Sequence, residues 1–179
     1  MRALPLWQPW ASLVVQGVKC IETRPGPPPS TVHGERVLVH ATLTKAHLAT
    51  CGVEPFTRFI ADPAELPLGA LIGSVVVERA ERIYPHVRDR IMEQDYTEWC
   101  LGDYTAGRWA WHLSEPVEFP EPIPYKGKQG IMVVPDVFLL GKLGECTCEV
   151  RGPAYEDTTT DPGCLYHGDR GHCVIRCRW

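Results

Sequence analysis

The stretch LPLWQPWASLVVQGVKCIETR, from Leu4 to Arg24, sets narrow limits on what this chain can become, because it places helix start and stop signals between two extended segments. Pro9 stands where the first helical turn tolerates a residue without an N–H, and Gly17 stands where a left-handed residue ends a helix. A helix over roughly Pro9 to Gln16 is therefore predicted. Within it Trp10, Leu13, Val14 and Val15 recur at helical spacing, so one apolar face has to lie against the rest of the chain. The flanking residues, Arg2 to Leu6 and Lys19 to Arg24, read as extended. Alternation along the second segment puts Glu22 and Arg24 on one side and Ile21 and Thr23 on the other.

Downstream the pattern stays β-rich and is interrupted often. Seventeen prolines and 16 glycines among 179 residues favour short elements and many turns over a helical bundle. Arg36 to His40 alternates as a strand, and Gly69 to Ile83 supplies the longest β-rich segment. Its run Val75 to Val77 predicts burial on both faces. Arg108 to Leu113 forms a strand with Trp109 and Trp111 on one face, and Lys126 to Val134 is expected to close the sheet into a barrel. Two helices are predicted, Lys45 to Thr50 behind a Thr42 or Thr44 cap and Val87 to Trp99 ahead of Gly102. Pro25 to Ser30 reads as a stiff surface loop, and Glu115 to Pro124, with four prolines, as an extended connection. The class is α+β.

A formal charge of −4 excludes a protein that grips long duplexes by neutralising many phosphates, although a small pocket needs no basic face. No apolar run of signal or membrane-spanning length occurs, which predicts an intracellular, cytoplasmic protein with no membrane partner.

The segment GVKCIETR, Gly17 to Arg24, resembles the GxKxxExR signature of the ASCH family, a PUA-like group. The resemblance extends over roughly the first 140 residues. A Pro9–Trp10 helix precedes the signature, GERVLVHA (Gly34 to Ala41) follows it, and RWAWHL (Arg108 to Leu113) and GKQGIM (Gly127 to Met132) come later in the same order. It implies a small PUA-like β-barrel with flanking short helices over 1–143, and a cleft lined by signature residues that holds RNA or a modified nucleobase or nucleoside.

The residue types suit that cleft. Arg24 offers bidentate hydrogen bonds, Lys19 a point charge or a base of lowered pKa, and Glu22 an acceptor for an exocyclic amine or a general base. His40, at the end of its strand, faces the cleft. Trp7 beside the helix start is a stacking surface, as Trp109 and Trp111 are in principle, and Lys128 and Gln129 sit in a glycine-flanked loop whose N–H groups suit a phosphate. The plain alternative is a solvated charge ladder with core tryptophans. A competing class is a small hydrolase, of amidohydrolase or ribonuclease type, with Lys19 and Glu22 as acid–base groups. One branch of the resembling family deacylates a modified cytidine with a lysine and a threonine three positions later. Here Lys19 is present but Glu22 takes the second place, with Thr23 displaced to the other side of the strand.

From Gly144 the composition changes. Five of the eight cysteines fall in 144–179, with histidines beside them. Such clusters in a chain without a secretory signal hold metal more often than disulfides. The preferred structural zinc set is Cys146, Cys148, Cys164 and His167, with Cys173, Cys177 and His172 as alternatives. This zinc-binding extension also offers a surface to a protein partner. The deaminase pattern HxE followed by PCxxC is absent.

Overall fold

A computed structural model of the chain describes residues 1–136, 138 and 139. The expected zinc ligands, from Cys146 to Cys177, lie outside the described residues. Among those residues no three His, Cys, Asp or Glu side chains gather as a metal site.

Among the described residues six strands form one mixed sheet. They are β1 (Arg2–Leu6), β2 (Ile21–Arg24), β3 (Arg36–Ala41), β4 (Ala70–Arg82), β5 (Trp109–Pro124) and β6 (Met132–Val133), in the order β2-β5-β4-β3-β1-β6. Only β1 and β3 run parallel. The barrel expected from sequence is a half-barrel, since β2 and β6 end the sheet without pairing. Three register shifts between β4 and β5, and one between β3 and β4, supply the curvature, because a bulge bends its strand and increases the local twist.

Helix α1 (Trp10–Val15) matches the predicted bracket, with Pro9 as its cap and Gly17 at φ +72° just beyond its end. Its burial differs from the one-faced reading. Ala11, Ser12, Leu13, Val14 and Val15 are all buried, because the helix fills the hollow of the curled sheet and packs on β3, β4 and β5. Val15 rests on Gly73 of β4, where any side chain would overlap both Val15 and the Val117 carbonyl. Val37, Val39 and Ala41 of β3 face this core, whereas Leu38 belongs to a second core with Ala3, Leu71, Phe119 and Leu139. With apolar side chains on both faces, β3 shows continuous burial rather than alternation.

Three other expectations are corrected. The proline-rich Glu115 to Pro124 belongs to β5, the longest strand at 16 residues. It pairs with β2 only over Trp109 to His112 and afterwards has β4 as its one strand partner, so the prolines face an open edge. The helix expected over Lys45 to Thr50 is instead a 3-10 turn, Leu48–Gly52, followed by two more short turns. Val87 to Trp99 is two helices, α2 (Pro85–Gln94) and α3 (Tyr96–Cys100). Asp95 ends the first through its backbone and caps the second, its Oδ1 accepting from the Glu98 N–H at 2.9 Å. No helix among the described residues is long and apolar enough to cross a membrane.

Candidate nucleoside-binding cleft

Beyond the C-terminal ends of β1 and β3, facing β2 across the open side of the half-barrel, lies a cavity of about 890 Å³. Trp7, Lys19, Glu22, Arg24, His40, Lys128 and Gln129 all border it. The sequence positions are far apart, and the curl of the sheet brings them together. Trp109 and Trp111 do not border it. Trp111 is buried in the α1 core and donates its Nε1–H to the Gly26 carbonyl at 2.9 Å, and Trp109 packs against the same core.

The signature charges divide into two groups. Lys19 is 3% exposed, and its Nζ donates to Glu98 Oε1 at 2.5 Å. Tyr104 Oη also donates to Glu98 Oε1, and Glu98 Oε2 accepts the Cys20 N–H at 2.6 Å. Burial and the Glu98 charge push the Tyr104 phenol up, so it remains a donor. The same two causes raise the Cys20 thiol, with Asp95 adding to them, which disfavours its thiolate form. Glu98 thus receives a cation, a phenol and a backbone amide, as a buried carboxylate requires.

Arg24 and Glu22 form the second group. Arg24 Nε lies 2.7 Å from Glu22 Oε1, and its Nη2 donates to the Pro5 carbonyl of β1 at 2.6 Å. The guanidinium also lies 6.0 Å from the Trp111 ring centroid. Burial pushes the Glu22 carboxyl above the usual carboxylate range, against the pull of Arg24 and Lys19. Among the cavity's carboxylates it is the one held in tension between a buried position and nearby cations.

At the rim, Trp7 is 52% exposed and stacks on His47 with ring centroids 4.3 Å apart and planes 19° apart. Trp10 meets the same imidazole edge-on and donates its Nε1–H to the Leu101 carbonyl at 2.6 Å. His40 is buried, and its Nε2 lies 3.0 Å from the Tyr125 carbonyl oxygen. Lys128 and Gln129 stand exposed in the loop that closes this side.

The sequence model of the ASCH domain matches residues 4–123 of this chain. The chain belongs to the ASCH domain family. Among solved structures, ASCH from Zymomonas mobilis superposes with a TM-score of 0.52 at 16% identity, over 79% of this chain and 94% of that one. A single-site mutant of ZmASCH from the same organism gives 0.50 at 16% identity, over 78% and 92%. No curated protein matches the chain. At these identities the structural likeness establishes the fold, and the ASCH domain is a PUA-like fold associated with RNA binding.

Sequence reasoning missed several cleft residues of this ASCH domain. Glu98 and Tyr104 hold Lys19, His47 backs Trp7, and Thr42 and Arg108 border the cavity. One signal was present. Asp95-Tyr-Thr-Glu98 has the cap-x-x-Glu spacing that starts a helix, which marks the α2/α3 break and the carboxylate beside it.

Proposed function

We propose that this ASCH domain binds RNA or a modified nucleoside, holding one unpaired base in the cavity between β2 and the ends of β1 and β3. The observation that carries this reading is the half-exposed Trp7 ring, backed by His47, at the rim of a cavity that Glu22 and the Lys128–Gln129 loop also border. Stacking supplies affinity that an acidic protein cannot draw from many phosphate contacts, roughly 1–3 kcal/mol per base. The volume suits a nucleoside, within the range of about 300–1,000 Å³ usual for small-ligand pockets. Equilibrium binding of nucleosides and short single-stranded RNA tests it. Trp7→Ala is expected to weaken binding roughly ten- to hundredfold, and equal affinity in that variant would overturn the proposal.

Glu22 favours a second reading, a small hydrolase. A carboxyl raised by burial at the wall of a cavity suits a general acid or base. New products from an acylated nucleoside or RNA that vanish in Glu22→Gln, with binding kept, would establish it. Lys19 supports the binding reading instead, because its ammonium is buried and already paired with Glu98. For 144–179, which lie outside the described residues, the proposal rests on spacing alone. Structural zinc there is held by Cys146, Cys148, Cys164 and His167, with Cys173, Cys177 and His172 as alternatives. Elemental analysis of the reduced protein showing no stoichiometric zinc would overturn it.

A further inference from the structure

Besides Arg24 Nε, which lies against Glu22, two polar atoms in residues bordering the cavity lack hydrogen-bond partners. His40 Nδ1 and Thr42 Oγ1 are both buried with no hydrogen-bond partner, and both residues border the cavity. His40 as a whole is 2% exposed. Buried polar atoms are nearly always satisfied by protein, ordered water or a bound group, so two orphans on one cavity wall mark a place where a ligand can supply the missing hydrogen bonds.

Their placement is fixed by the backbone. The parallel pairing of β1 with β3 sets Pro5 opposite His40 and Leu6 opposite Ala41, and it extends one residue further as the Thr42 N–H donates to the Leu6 carbonyl at 2.9 Å. His40 and Thr42 therefore project to one side of the strand while Ala41 enters the α1 core. The strand rise of about 3.3 Å per residue separates their Cα atoms by roughly 6.6 Å. At that spacing the two side chains stand side by side on one wall of the cavity. Trp7 continues β1 on the same side as Pro5, so its stacking face adjoins this pair. The loop carrying Lys128 and Gln129 comes in through Gly127 against the Cε1 edge of the imidazole, where any side chain would overlap the His40 ring.

Chemistry decides what the pair accepts. A carbonyl oxygen only accepts, so His40 Nε2 carries the hydrogen donated to Tyr125, and in that tautomer Nδ1 is an acceptor. Thr42 Oγ1 can donate. The wall thus presents an acceptor beside a donor.

We infer that His40 and Thr42 form a subsite that reads the pairing edge of a single extruded base, His40 Nδ1 accepting a base N–H and the Thr42 hydroxyl donating to the adjacent base acceptor. This deepens the nucleoside reading of the cavity and rests on it. Cytosine, with its amino N–H beside a ring nitrogen, and uracil, with its imino N–H beside a carbonyl, both satisfy the pair. A base engaged in a duplex does not, because its pairing edge is occupied.

The test uses the full chain labelled with ¹⁵N-histidine, titrated with cytidine, uridine, N4,N4-dimethylcytidine and 3-methyluridine. The last two keep the ring and the sugar but lose the N–H. Cytidine and uridine are expected to shift the His40 Nδ1 resonance and to bind at least about tenfold tighter than their methylated counterparts. Thr42→Val, which removes only the orphan hydroxyl, is expected to melt no lower than the wild type and to weaken both unmodified nucleosides about tenfold. Equal binding of methylated and unmodified nucleosides, still dependent on Trp7, would overturn this inference and leave the nucleoside reading standing. A Thr42→Val variant that unfolds would show the hydroxyl to be structural and would also overturn it. Failure of all four nucleosides and of single-stranded RNA to bind would overturn both.

Discussion

Arg24 Nη2 donates to the Pro5 carbonyl at 2.6 Å, joining an edge strand to a strand four places away in the order of the sheet. The sheet has curled far enough for a side chain to span the opening where no backbone ladder does. Arg24 therefore closes the half-barrel over the cavity and holds Glu22 in place at the same time.

Replacing Arg24 by Ala removes a charged hydrogen bond and leaves a carboxylate unpaired, so it should destabilise the fold by roughly 2–4 kcal/mol. Arg24→Lys restores the charge but not the fork that reaches both Glu22 and Pro5, and should recover less than half of that loss. Urea unfolding at neutral pH checks both. Wild-type stability in Arg24→Ala would show that the seam carries no load.

The Lys19–Glu98 pair leads to a second expectation. Both side chains are almost fully buried, so removing one partner strands the other charge. Lys19→Met alone, or Glu98→Gln alone, should cost about 3–5 kcal/mol, whereas Lys19→Met combined with Glu98→Gln should cost much less than the sum. The double-mutant cycle measures the coupling directly. Additive losses would mean that Tyr104 and the Cys20 N–H, rather than the ion pair, hold Glu98.

How much of this was legible beforehand follows from locality. Helix α1 and its glycine stop were readable because cap and stop chemistry act over a few neighbours, and the positions of most strands along the chain were readable from period. The barrel closure was not, because nothing local records that β2 and β6 fail to meet. The proline-rich half of β5 misled because a proline argues against a strand only where its missing N–H is needed, and whether an edge is open is a property of the assembled sheet. In the cleft, Lys19, Glu22 and Arg24 are visible as a motif, but the partner of Lys19 is not, because Glu98 lies 79 residues away on α3 and no local pattern links the two.

Gly73 tests whether the fit of α1 into the sheet limits stability. A methyl group there meets the Val117 carbonyl and Val15, backbone on one side and the helix on the other, so neither neighbour can give way cheaply. Gly73→Ala should destabilise by about 1–3 kcal/mol, the usual range for overpacking, despite the better strand propensity of alanine. Gly73→Ala combined with Val15→Ala should recover part of the loss, measured as a rise in the midpoint of thermal unfolding over the single variant. No recovery would place the clash at the Val117 carbonyl alone.

Glu22 carries a pH signature of defined sign. Its carboxyl is raised in the folded protein by burial, so the folded state holds this proton more tightly than the unfolded chain does. Below the unfolded value of about 4.3 both states are protonated and the residue contributes no pH dependence. As pH rises through that value toward the folded one, stability falls, and above the folded value the loss is complete. Glu22→Gln keeps the shape and an acceptor for Arg24 without the charge. The variant should match the wild type near pH 4 and exceed it increasingly as pH rises toward the folded value. Urea unfolding across pH 4 to 8 reads this difference. The opposite trend, a variant that loses ground as pH rises, would mean that the pairing with Arg24 outweighs the desolvation of Glu22. With the expected trend, the native glutamate is less stable than its neutral counterpart in the empty cleft, and a ligand that donates to its free oxygen relieves that cost. Cleft ligands should then raise the melting temperature of the wild type more than that of Glu22→Gln.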